Sequence, residues 1–104
     1  MKTTYAVKWR EPDGRTYLGR LAFGPRSLSL EGREPDGSVV DRRIGYEEVR
    51  RLRLSSRGPD RLDARPTLVV ERADGPYLVT SAGMSAGIVQ ELIDRLTELR
   101  LATP

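Results

Sequence analysis

The sequence contains neither cysteine nor histidine. Without cysteine there is no disulfide framework, no thiolate nucleophile and no Cys-ligated metal. Without histidine the commonest general base and the commonest zinc ligand are gone, which leaves Asp, Glu, Lys and Tyr for any chemistry. Long apolar runs are missing as well: nothing approaches the roughly 20 residues of a membrane-spanning helix. The opening Met1-Lys2-Thr3-Thr4-Tyr5 lacks the apolar stretch of a secretory signal, so the expected compartment is the cytoplasm. Excess charge is small too. The net charge is +3, from 18 basic and 15 acidic residues, which does not by itself argue for a nucleic-acid partner. Its distribution is uneven. Residues 1–57 carry 13 basic and 8 acidic side chains and residues 58–104 carry 5 and 7, so the halves are +5 and −2. An anionic partner is expected to meet the first half.

The 104 residues fit a single domain spanning 1–104. Their strongest periodic signal is near the end. Met84, Ile88, Val89, Leu92, Ile93, Leu96 and Leu99 recur at spacings of three and four, the stripe of an amphipathic helix from Met84 to about Leu101. Ser81 or Ser85 is available to cap it.

Upstream the pattern is one of short strands. Tyr5, Val7 and Trp9 alternate with Ala6, Lys8 and Arg10, which predicts one buried and one solvated face. Glu11-Pro12-Asp13-Gly14 reads as a hairpin turn with a bulge. In the second strand Tyr17, Gly19, Leu21 and Phe23 share a face, with Leu18, Arg20 and Ala22 opposite. Strands at 27–31 and 38–44 follow, the latter with Val40 and Ile44 inward, and Gly45 to Glu48 turns the chain. Val49, Leu52 and Leu54 mark a fifth strand, although Tyr46, Val49 and Leu52 also fit a short helix. Residues 55–66 hold two prolines and several charges and predict a long exposed loop. Strands at 67–71 and 77–81 complete the set. Arg-Glu-Pro-Asp-Gly occurs twice, at 10–14 and 33–37. Two hairpin turns using the same turn chemistry explain the repeat without a ligand.

Three stretches carry a further likeness: Gly19-Arg20-Leu21-Ala22-Phe23 followed by Leu28-Ser29-Leu30; Ile44-Gly45-Tyr46-Glu47-Glu48-Val49-Arg50-Arg51-Leu52; and Leu68-Val69-Val70 then Tyr77-Leu78-Val79 before the helix. In this order the chain resembles a pleckstrin-homology-like (PH-like) domain of bacterial type over essentially its whole length. The resemblance implies a mainly β fold with one C-terminal helix: a partly open barrel of about seven antiparallel strands in two sheets, capped by that helix. The sole tryptophan, Trp9, is on the first strand, whereas the helix of eukaryotic PH domains typically carries one.

Four groups of residues invite a functional reading. Lys8, Arg10, Arg15 and Arg20 surround the first hairpin. Basic residues there hold phosphates in PH domains that bind inositol phosphates, so an anionic lipid headgroup is one expected ligand, set against Glu11 and Asp13 in the same hairpin and against an ordinary solvated strand face. Arg50, Arg51, Arg53 and Arg57 form a basic strip. Only Tyr46 is near it for stacking, so nucleic acid is a remote alternative. Gly83-Met84-Ser85-Ala86-Gly87 matches G-x-S-x-G, but there is no histidine to serve as base and the chain is too short for that hydrolase fold; small residues at a helix start explain it. The carboxylate pairs Glu47–Glu48 and Asp60–Asp63 fall in turns and loops. The expectation is a non-catalytic binding or scaffolding module without cofactor or metal. Its partner is a protein or a second copy of the chain, reached through open barrel edges.

Overall fold

The computed structural model describes residues 3–34, 36–58, 60–83 and 87–102. Seven strands and one helix follow one another: β1 Thr4–Arg10, β2 Thr16–Phe23, β3 Ser27–Arg33, β4 Val39–Gly45, β5 Arg51–Ser55, β6 Thr67–Arg72, β7 Gly75–Ser81 and α1 Gly87–Ala102. A single 3-10 turn, Tyr46–Glu48, separates β4 from β5. The strands lie in the order β4-β3-β2-β1-β7-β6-β5, and every pairing is antiparallel. They curl into a half-barrel with α1 packed against β5, β6, β7 and the 3-10 turn. Where the resemblance implies two sheets, the hydrogen bonding is unbroken. β1 pairs with β2 along its whole length and with β7 over Val7–Arg10, so the two halves are parts of one sheet.

Alternation decides which face is buried. Val7, Trp9, Tyr17, Leu21, Leu28, Leu30, Val40, Ile44, Leu68, Val70, Tyr77 and Val79 point into the concave side, each following the period of two of its strand. On α1, Val89, Leu92 and Leu96 complete this core, with Ile88, Ile93 and Leu99 at its margin. Met84 and Ser85 lie outside the described residues; Ser81 belongs to β7, and its Oγ accepts from Gly83 N–H at 3.2 Å. Two glycines let the strands cross closely under Trp9. A Cβ on Gly32 would stand 2.7 Å from the Trp9 ring, and one on Gly19 would run into the Glu31 carbonyl.

The repeated pentapeptide builds the same turn twice. Gly14 N–H donates to Glu11 O and Gly37 N–H to Glu34 O, each at 2.9 Å. The aspartate carboxylates accept from Arg15 N–H and Ser38 N–H at 2.9 and 2.8 Å. Gly14 and Gly37 hold φ of +93° and +91°, the left-handed region that glycine enters without a Cβ penalty.

The connection after β5 is largely exposed, as expected, except at one residue. Leu62 is buried with Val69 and Leu78 in a second, smaller core. It therefore lies on the convex face of β6 and β7, whose central residues are buried on both sides. Thr67 Oγ1 accepts from Leu62 N–H at 2.9 Å, and Thr80 Oγ1 donates to Pro66 O at 2.8 Å. Val49 precedes β5 as a buried residue after the 3-10 turn. Leu54 is partly exposed at the sheet margin.

Candidate functional site

The alternation that buries Trp9 sends Lys8, Arg10 and Arg20 to the convex face. Lys8 pairs with Leu18 in register and Arg20 with Ala6, so the two cations are offset by one step on the same face. Three of the four first-hairpin cations, Lys8, Arg10 and Arg15, meet a side chain of this chain within ion-pair or hydrogen-bond distance. Lys8 Nζ reaches Asp63 Oδ2 at 2.8 Å. Arg10 Nε donates to Thr16 Oγ1 at 3.3 Å. Arg15 Nε lies 3.7 Å from Asp13 Oδ2, and the Tyr17 hydroxyl and that carboxylate raise its pKa. Arg20 stands opposite Glu31 across β2–β3. Lys8, with Arg65 and Arg10 further off, holds the Asp63 carboxyl below its ordinary value of 3.8. Asp63 reaches Lys8 from a backbone with φ of +54°, which a non-glycine residue seldom adopts.

The end of the half-barrel below the first hairpin is filled by the chain itself. Glu11 is buried, and Arg42 grips it with Nε to Oε2 at 2.8 Å and Nη2 to Oε1 at 3.3 Å. This carboxylate raises the Arg42 pKa. Trp9 Nε1 points at the same oxygen from 3.5 Å. Tyr17 and Tyr77 line this end beside them. A phosphate entering here would face a buried carboxylate that already holds the nearest guanidinium.

The arginine strip is likewise engaged. Arg53 bridges Asp60 at 2.7 Å and Glu71 at 3.7 Å, and Arg51 reaches Glu71 at 3.9 Å. Arg50 and Arg57 are exposed. Of the G-x-S-x-G stretch, residues 84–86 lie outside the described residues. Glu48, one of the paired turn carboxylates, closes the 3-10 turn by accepting from Gly45 N–H at 2.6 Å and bridges Arg72 at 3.0 Å.

A different surface stands out. Three shallow clefts of about 160 to 270 Å³ lie on the convex side of β2, β3 and β4. Leu18, Arg20, Arg33 and Val39 border one of them. Leu18 is 60% exposed and Val39 63%, and both pair with Arg33, one on each side of it, in one row across the sheet. Beside them runs the free edge of β4. Leu18 was legible as an apolar residue on the solvated face of β2. Val39 was not, because strand alternation alone does not say which strand lies at the sheet's edge.

No protein-family model matches this sequence, and no curated protein matches it. Among solved structures, the C-terminal domain of an unknown protein from Leishmania infantum is similar, with a TM-score of 0.63 at 13% identity over 96% of this chain and 85% of that one. At that identity the likeness is one of fold: a curled antiparallel half-barrel of seven strands with a C-terminal helix.

Proposed function

We propose that the chain is a non-catalytic, cytoplasmic PH-like module that binds proteins through the convex face and free edge of β2–β3–β4. The strand order β4-β3-β2-β1-β7-β6-β5 followed by a helix supports the PH-like reading. The observation that carries the binding reading is the pair of exposed apolar side chains, Leu18 and Val39, next to an open strand edge. Strand addition along an open edge is a common mode of protein recognition. Anionic lipid recognition at Lys8, Arg10, Arg15 and Arg20 has weaker support, because Lys8, Arg10 and Arg15 already meet a carboxylate or hydroxyl of their own chain and Arg20 stands in register with Glu31. Nucleic-acid binding along the 50–57 strip is weaker for the same reason at Arg51 and Arg53.

A photo-crosslinking residue introduced at Val39 in cells tests the reading, with Ala73 in the β6–β7 turn as the comparison site. Discrete protein adducts are expected at Val39 and not at Ala73. Equal labelling at the two sites, or none at Val39, would overturn the reading.

A further inference from the structure

The two edges of the sheet, β4 and β5, differ in a way that selects a partner. On β5 the convex-face side chains are Arg51 and Arg53, and Asp60 and Glu71 of the same chain neutralise them. An antiparallel copy along β5 would set arginine against arginine. On β4 the convex-face side chains are Val39, Asp41 and Arg43. Asp41 stands directly opposite Glu31 in the β3–β4 register, a like-charge pair that is destabilising. Neither the Asp41 carboxylate nor the Arg43 guanidinium has an ion-pair or hydrogen-bond partner among the described residues.

The backbone of β4 is oriented to match. Glu34 N–H donates to Ser38 O at 2.9 Å in the turn. Alternation along the ladder then makes Gly32–Val40, Leu30–Arg42 and Leu28–Ile44 the pairs that hydrogen-bond within β3–β4. The N–H and C=O groups of Val39, Asp41 and Arg43 therefore point away from the sheet. In keeping with this, Asp41 O accepts from the neighbouring Arg42 Nη1 at 3.3 Å instead of from a strand. Beyond Arg43 the free stretch ends, since Gly45 N–H is held by Glu48.

We infer that a second copy of this chain docks antiparallel along β4, with Asp41 of each copy opposite Arg43 of the other. Three two-fold registers pair outward-facing residues near the centre of the strand. One sets Asp41 against its own symmetry mate, another does the same with Arg43, and the third pairs the two opposite charges, twice; the Arg42 pair at its centre lies on the other face, where each guanidinium is held by Glu11 of its own chain. The inference rests on the reading of the chain as a protein-binding module and names its partner and contact.

Sedimentation velocity on the purified full chain tests it. The mass is expected to rise from monomer to dimer over an about hundredfold range of concentration. Asp41→Arg or Arg43→Asp alone should weaken the dimer by about tenfold, because two attractive pairs become repulsive. The double variant Asp41→Arg/Arg43→Asp should restore it. Arg51→Glu on the other edge should leave it unchanged, and thermal melting checks that each variant is folded. A wild-type chain that stays monomeric, a dimer indifferent to these substitutions, or masses growing beyond the dimer through head-to-tail β4–β5 contacts would each overturn the inference. A monomer that still crosslinks to another protein at Val39 would overturn the self-pairing alone and leave the protein-binding reading standing.

Discussion

At Tyr46 one hydroxyl ties two turns together. The side chain is buried, and its OH donates to Gly24 O at 2.6 Å, joining the 3-10 turn to the β2–β3 connection. Burial raises its pKa above the ordinary 10.0, as it does that of Tyr77. The native state thus keeps these phenol protons to higher pH than the unfolded chain. Their contribution to stability is complete below pH 10.0 and is lost as the pH rises through the folded values. Tyr46→Phe leaves Gly24 O unpaired and should cost about 1–2 kcal/mol at neutral pH, while flattening the alkaline loss. Urea unfolding at a series of pH values reads both effects, and parallel alkaline slopes for the two proteins would contradict the assignment. Gly19 is a second position where one atom decides. Its Cβ would meet the backbone of Glu31 and Gly32 rather than a flexible side chain. Gly19→Ala should therefore destabilise by about 1–3 kcal/mol, measured as a shift of the urea midpoint with the slope unchanged.

Among the elements, the strands and the hairpin turns were legible because their information is local. The period of two in Tyr5-Val7-Trp9 and in Leu28-Leu30 names the buried face before any partner strand is known. Pro-Asp-Gly names the turn, and the repeat of that triplet became two superposable hydrogen-bond patterns. The 55–66 connection was legible as a largely exposed loop but not in its one anchor. Its prolines and charges describe an exposed loop, and the one apolar residue that mattered, Leu62, carries no periodic signal. Its burial depends on the convex face of β6 and β7, where Val69 and Leu78 had no other cover. Leu62→Ala should cost about 2–5 kcal/mol and open the loop. Limited proteolysis should then cut between Ser56 and Arg65 well before global unfolding; cleavage rates equal to wild type would show that the second core does not hold the loop down.

At the scale of the whole molecule, α1 closes the concave side. Leu92 and Leu96 are fully buried against the half-barrel. Tyr5 OH donates to Glu91 Oε1 at 3.0 Å from β1, and Arg100 Nη2 donates to Val49 O at 3.2 Å beside β5. The helix is thus tied to the middle strand of the sheet and to the β5 side of the curl, and its apolar stripe is core rather than a docking surface. Leu92→Asp places a charge where no partner or water can reach it and should abolish cooperative thermal unfolding. A folded variant that lost only a binding partner would refute this placement.

The sequence by itself determined the number of strands, the buried face of the first four, the two Pro-Asp-Gly turns and the terminal helix, because these follow from residue periodicity and from backbone preferences of neighbouring residues. It also determined which chemistries lack their usual side chains. The tertiary structure alone decided that β1 joins everything into one sheet, that Lys8 spends its charge on Asp63, that Glu11 is buried against Arg42, and that β4 with Asp41 and Arg43 lies at a free edge. Each of these depends on which distant strands become neighbours. That choice is made by the summed burial of the core and leaves no mark at any single position along the chain.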